Sequence, residues 1–239
     1  MYDVIQALAL VAFVVVYTFY ARHYNISKLK AFIMGMVSII VYLFLVKFLA
    51  WAETGFKEFG SENAIRVYIC LPPLIYLMAK IAKEKPLHLF DLAGIANPLV
   101  YGIGHLACIF PGCCHGFAYH EGTFMYRIAY ILTGTNMLPL QLMESVSALL
   151  IFVILYITAR KMQYKTNGRL FCIWFITFGA ARFFWEFLRD NQKVIIFAPL
   201  KQAEGYFGIS TLAIWAAAMA IAGVVTYFVI REYEKRANQ

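Results

Sequence analysis

Charge is what this chain has least of. Lys, Arg, Asp and Glu together make up 14% of its 239 residues, where soluble globular domains carry roughly 25%. Acidic residues are the scarcer kind, 13 against 21 basic ones. The basic residues do not gather into one stripe, and that scatter excludes a nucleic-acid-binding surface. No internal repeat or low-complexity tract is visible, which counts against a transporter built from inverted halves. The first apolar run has no basic region before it and no small-residue cleavage site. It therefore reads as a retained span and not as a removed signal peptide.

What fills the chain is apolar: 62% of residues are hydrophobic and the mean hydropathy is +0.69. A soluble fold of this length leaves too much of its chain at the boundary to hide that surface, whereas a bilayer solvates it. Runs of the roughly 20 residues needed to cross lie near 3–21, 31–51, 65–82, 88–110, 139–159, 169–188 and 207–230. The expectation is an all-α polytopic membrane bundle of about seven helices, one transmembrane domain over 1–239. Pro72 and Pro73 interrupt the third run, and Asn97 before Pro98 marks a kink in the fourth. The longest connection, 111–138, reads as a loop or a lid lying on the membrane.

Basic residues orient the spans. Arg22, Lys28 and Lys30 follow the first, Lys80, Lys83 and Lys85 the third, Arg160, Lys161, Lys165 and Arg169 the fifth, and Arg231, Lys235 and Arg236 the last. The second loop is acidic, with Glu53, Glu58 and Glu62 against Lys57 and Arg66. Positive loops stay in the cytoplasm, so the N-terminus is expected outside and the C-terminus inside.

That topology gathers unusual polar groups at one depth. Span four runs outward into His105, Cys108, Pro111, Cys113, Cys114 and His115; span five begins there with Gln141 and Glu144; span six ends there with Arg182, Glu186 and Arg189. A charge inside a span costs about 2.5–3.5 kcal/mol on insertion scales, which marks such residues as functional candidates. Arg182, Glu186 and Arg189 share one helix face. Two readings stand: a self-neutralising ion pair with Glu144 as interhelical partner, or an anion site in which guanidinium meets phosphate.

His105, Cys108, Cys113, Cys114 and His115 are soft-metal ligand types. Their spacing matches no closed zinc motif, so neither a metal nor another cofactor is expected. Cys113 and Cys114 are neighbours with Cα atoms about 3.8 Å apart, too close for the usual 4.4–6.8 Å of a disulfide. A pairing of Cys108 with one of them stays open at an oxidising face. Cys70 and Cys172 read as apolar fillers, and His88 and Asp91 as helix-start and interface residues.

Three segments together carry a resemblance: Gly104-His105-Leu106-Ala107-Cys108-Ile109-Phe110-Pro111-Gly112-Cys113 with Gly116 three residues on, Pro139-Leu140-Gln141-Leu142-Met143-Glu144, and Gly179-Ala180-Ala181-Arg182-Phe183-Phe184-Trp185-Glu186-Phe187-Leu188-Arg189. In order and spacing they resemble the bacterial prolipoprotein diacylglyceryl transferase family over 88–190. Its signature Gly-Arg-x-Gly-Asn-Phe-x-Asn-Gly-Glu falls on the first segment. Its Pro-x-Gln-Leu-x-Glu and Gly-x-x-Arg-Phe-x-x-Glu-Phe-x-Arg segments fall on the other two. The departures are specific. The signature Arg falls on His105, an Asn on Cys108 and the Glu on Cys113, and the family's third-span His-Gly-Gly has no counterpart between Arg66 and Pro73.

The resemblance implies a seven-span, N-out transferase of the bacterial cytoplasmic membrane. Such an enzyme moves a diacylglyceryl group from phosphatidylglycerol to a cysteine thiol of a lipoprotein precursor. Arg182 and Arg189 would clamp the leaving phosphate, with Glu144 and Glu186 orienting them. His105 or His115 would take the thiol proton, and Cys108, Cys113 or Cys114 offer a variant with a covalent intermediate. Gly104, Gly112, Gly116 and Gln141 would line the substrate with Arg189. Two alternatives remain at this stage: a divergent paralogue acting on another lipid or thiol through its Cys/His loop, and a non-enzymatic lipid-binding or transport protein.

Overall fold

A computed structural model describes the backbone at residues 1–53, 55–57, 64–189, 194–202 and 205–237. Of the acidic second loop, Glu58 and Glu62 lie outside the described residues. The helices are α1 (Tyr2–Ala21), α2 (Lys28–Glu53), α3 (Ala64–Ala82), α4 (Pro86–Leu106), α5 (Phe124–Thr133), α6 (Leu140–Lys161), α7 (Arg169–Glu186) and α8 (Thr211–Ala237). Among the described residues, six stretches are long and apolar enough to cross a membrane, and they fall on α1–α4, α6 and α8. With the family reported below, they make this a multi-pass membrane protein. The 18-residue α7 matches the sixth apolar run but carries Arg169, Arg182 and Glu186.

The outer faces are mostly apolar. Ile33, Ile40, Phe44, Val153, Ile154, Ile221 and Val229 are exposed along α2, α6 and α8, far more apolar surface than water tolerates and of the kind lipid solvates. The inner faces share one core around Tyr17, Leu89, Leu92, Ile95, Leu155, Leu170, Trp174 and Met219. α4 is the central helix, with more than half of its span buried, more than any other span. Where α4 crosses α7, a Cβ on Gly94 would lie 2.6 Å from the backbone nitrogen of Phe171. Small residues let membrane helices approach to backbone distance.

Local chemistry sets the helix ends. Pro86 starts α4, where its missing N–H costs nothing. Inside α4, Pro98 cannot bond the carbonyl four residues back, and the Asn97 side-chain amide donates to the Ala93 carbonyl at 2.8 Å beside it. α4 ends in a 3-10 turn at Ala107–Ile109, just before Pro111, as expected.

Asp91 is not an interface residue. It is fully buried and reaches from α4 to the start of α7, where its carboxylate accepts from Thr166 Oγ1 at 2.5 Å, Gly168 N at 2.8 Å and Leu170 N at 3.0 Å. A carboxylate there satisfies orphan N–H groups and the positive helix end together.

Two elements go beyond the expectation. The 111–138 connection holds α5, with Thr123 Oγ1 accepting from Tyr126 N at its start and Gly134 in left-handed backbone at its end. Phe124, Met125, Tyr130, Ile131 and Leu132 are exposed on it, as on a helix lying in the headgroup layer. The last span begins at Thr211 and not at 207, because Ser210 Oγ accepts from Ala213 N at 3.0 Å and caps α8. The residues before it pair as an antiparallel hairpin, β1 (Val194–Gln202) with β2 (Gly205–Ser210). This is a small addition to an otherwise helical bundle.

Candidate active site

Glu144 is the hub of the polar cluster. α6 places it 1% exposed beneath the ends of α4 and α7. Its Oε1 meets Arg182 Nη1 at 3.0 Å and also accepts from Arg189 Nη2. Its Oε2 accepts from the Tyr101 hydroxyl and lies 3.1 Å from His105 Nε2. That histidine nitrogen is off the hydrogen-bond line, so the contact is one of proximity. Arg182 Nη2 meets Glu186 Oε2 at 2.9 Å and Arg189 Nε lies 3.6 Å from the same oxygen. Glu186 Oε1 accepts from Ser210 Oγ at 3.2 Å.

Arg182 and Glu186 are thus about one turn apart, on one helix face, and both carboxylates neutralise both guanidiniums. A buried ion pair repays its desolvation only with such additional hydrogen bonds. Arg182 spends one Nη on each carboxylate, so it holds the two acids together. Arg189 lies closer to the surface, its side chain 12% exposed against 5% for Arg182. His105 stacks on Tyr101 with ring centroids 4.9 Å apart and planes 14° apart, which fixes the imidazole over Glu144.

The cysteine turn sits beside this cluster. Gly112 (φ +67°) and Cys114 (φ +61°) both take left-handed backbone, folding the chain tightly after Pro111. Cys113 N donates to the Cys108 carbonyl at 3.2 Å, and Gln141 Nε2 donates to the Cys113 carbonyl at 2.5 Å. The turn is then pinned at its exit: Gly116 N donates to Leu138 O at 3.0 Å and Phe117 N to Leu188 O at 3.2 Å. A Cβ on Gly116 would lie 2.6 Å from the Leu188 carbonyl, so that position admits no side chain. All five cysteines are free thiols, and the Sγ atoms of Cys108, Cys113 and Cys114 lie within 4.8 Å of one another. The neighbouring Cys108 thiol pulls the Cys114 thiol down against the opposing effect of burial, and Arg189 and His105 add to that pull. Burial pushes the Cys113 thiol up.

Most of the residues singled out in sequence therefore meet: His105, Cys108, Cys113, Cys114, Gln141, Glu144, Arg182, Glu186 and Arg189 are joined through Glu144 and the cysteine turn. Three stand apart. Gly104 packs on α1, where Gln6 Nε2 donates to its carbonyl at 3.0 Å. Gly112 serves the turn, and Gly116 the closure against α7. His115 Nδ1 lies 3.1 Å from the Gly116 carbonyl, and its ring lines a cavity of about 20 Å³ with Thr133, Met137 and Gln141. Tyr101 and Ser210 escaped the sequence reading. The spacing of Tyr101 four residues before His105 on a helix was the signal for the first; nothing local marked the second.

Comparison with known proteins adds a family. Residues 1–230 match the family model described as prolipoprotein diacylglyceryl transferase. A phosphatidylglycerol--prolipoprotein diacylglyceryl transferase of Clostridium tetani is 26% identical over 121 residues, 50% of this chain and 48% of that protein. A phosphatidylglycerol--prolipoprotein diacylglyceryl transferase 2 of Clostridium perfringens is 29% identical over 143 residues, 58% of this chain and 54% of that protein. The chain spans about half the length of the curated relatives it matches.

Proposed function

The chain belongs to the prolipoprotein diacylglyceryl transferase family, and on that premise we propose that it moves a diacylglyceryl group from phosphatidylglycerol to a cysteine thiol of a lipoprotein precursor. One observation carries the reading. The two best-matched motif segments, Pro139–Glu144 and Gly179–Arg189, close on the single buried carboxylate of Glu144, beside the turn that ends the third.

The reaction makes a carbon–sulfur bond and breaks a carbon–oxygen bond. The acceptor thiolate attacks the glyceryl carbon, and glycerol phosphate leaves with the electron pair. Arg189, the more exposed arginine, meets the phosphate as its charge develops. Arg182 is a positioning residue, fixing Glu144 and Glu186 so that Arg189 and His105 are held in register. His105, backed by Glu144 and stacked on Tyr101, receives the thiol proton. The chain acts as one transmembrane unit over 1–239 in the bacterial cytoplasmic membrane. α7 serves as a seventh span, and the N-terminus and cysteine turn lie outside.

The test uses the full chain in vesicles of labelled phosphatidylglycerol with a precursor peptide bearing one cysteine. The expected result is label on the peptide with release of glycerol phosphate, and no label on the Cys-to-Ser peptide. Absence of transfer to any thiol overturns the reading. A second reading, another thiol acceptor at the same site, draws on Cys113 standing where the family signature has Glu. Transfer to a small thiol but not to the peptide would favour it.

A further inference from the structure

We propose that Cys108, Cys113 and Cys114 form a three-thiolate site for a divalent zinc-class cation, whose open fourth position receives the acceptor thiol of the transfer reaction. The inference deepens the transferase reading and rests on it. Three sulfurs from one turn lie within 4.8 Å of one another. Tetrahedral zinc with Zn–S near 2.3 Å asks for sulfurs about 3.8 Å apart, so closing the site takes movements of about 1 Å or less.

The backbone is bent to this end. Successive side chains of an extended chain point to opposite sides, yet the neighbouring thiols of Cys113 and Cys114 both reach Cys108. Left-handed backbone at Cys114 achieves it, a conformation uncommon for any residue but Gly. The Cys113 amide bonds the Cys108 carbonyl and Gln141 holds the Cys113 carbonyl, so the turn is fixed on both sides.

Charge and access fit as well. Three thiolates on a divalent cation leave one negative charge, and Arg189, whose backbone pairs with Gly116 at the exit of the cysteine turn, stands beside it. Cys108 is buried while Cys113 is exposed, which leaves the outer position of the site open. Closed structural zinc sites take four protein ligands, and sites that do chemistry take three.

The chemistry also answers a gap. Cys113 and Cys108 stand where the family signature has Glu and Asn, and the third-span His is absent. A thiol that coordinates a metal loses its proton readily, which eases the task of His105 as the base for a thiol substrate. On coordination the acceptor S–H passes its proton to His105, and the sulfur keeps the electron pair. The sulfur then attacks the glyceryl carbon, the carbon–oxygen bond breaks, and glycerol phosphate leaves with that bond's pair. The thioether formed is neutral and a weaker ligand, so it departs.

The probe is Zn(II), with Co(II) as spectroscopic substitute, added to the reduced full chain in detergent. One bound Zn(II) per chain is expected, with a thiolate-to-Co(II) charge-transfer band that a small added thiol shifts. Cys108→Ser, Cys113→Ser and Cys114→Ser should each weaken or lose the band, whereas Cys70→Ser and Cys172→Ser should keep it. Circular dichroism of each variant separates loss of the site from loss of the fold. Transfer should stop with a chelator and return with Zn(II). Wild-type protein that binds no Zn(II), or transfer indifferent to chelation, overturns the proposal and leaves the transferase reading standing. Stoichiometric Zn(II) on the three cysteines without any transfer supports the site and overturns the transferase reading instead.

Discussion

Glu144 concentrates the stability of the polar cluster in one side chain. It touches Arg182, Arg189, Tyr101 and His105 while 1% exposed. Glu144→Ala leaves two guanidiniums short of a counter-charge and should cost about 3–5 kcal/mol, read as a lowered unfolding midpoint in detergent. Arg182→Lys keeps the charge but cannot bridge Glu144 and Glu186 with two nitrogens. Transfer should fall more than stability does, which separates positioning from folding. Tyr101→Phe removes a hydroxyl donor to a buried carboxylate and should cost about 1.5–3 kcal/mol, with a larger loss at His105-dependent steps. Glu144, Arg182 and Glu186 were legible in sequence because a charge inside an apolar run is costly in lipid and therefore stands out. Tyr101 was not, because a tyrosine in a span resembles every other aromatic of a chain that is 17% aromatic.

Two residues decide how α7 seats against α4. Asp91 holds its first turn, and Asp91→Ala should strand buried donors at about 1–3 kcal/mol, destabilising α7 before the other helices. Hydrogen exchange resolved by segment would show it, and uniform loss of protection would refute it. Gly94 sets the crossing distance. Gly94→Ala drives a methyl into the Phe171 backbone and should cost about 1–3 kcal/mol. Gly35 in α2 has only ordinary contacts at 3.8 Å around the same methyl. Gly35→Ala should therefore be neutral or gain up to about 1 kcal/mol through helix propensity. Equal effects at the two positions would remove the packing argument. Hydropathy located the long helices, since a span must be apolar whatever it packs on. α5 was missed because ten residues are too short for that signal, and its face is fixed by the membrane surface and not by a core.

For the molecule as a whole, the expected side of the membrane follows from the basic loops. With α7 as a span, the N-terminus and Cys113 are expected outside and Lys235 inside. A membrane-impermeant maleimide on intact cells should label the exposed Cys113 after reduction, and a Cys113→Ser variant should lose most of that label. Labelling only in inverted vesicles would reverse the bundle and move the acceptor site to the cytoplasm.

Composition and hydropathy by themselves determined a helical membrane bundle, because backbone in lipid must satisfy its own hydrogen bonds and apolar runs of span length admit little else. Motif order by itself determined the family, and charge in unexpected places marked Glu144, Arg182 and Glu186. Only the tertiary structure decided which arginine holds the acids and which lies nearer the surface, since α7 ends at Glu186 and Arg189, expected on the same helix face, lies beyond its end. It alone assigned Asp91 to the start of α7 across 75 residues of chain. And it alone brought three cysteine sulfurs together at a spacing that matches no linear motif, because left-handed backbone at Gly112 and Cys114 turns neighbours in sequence toward a common point.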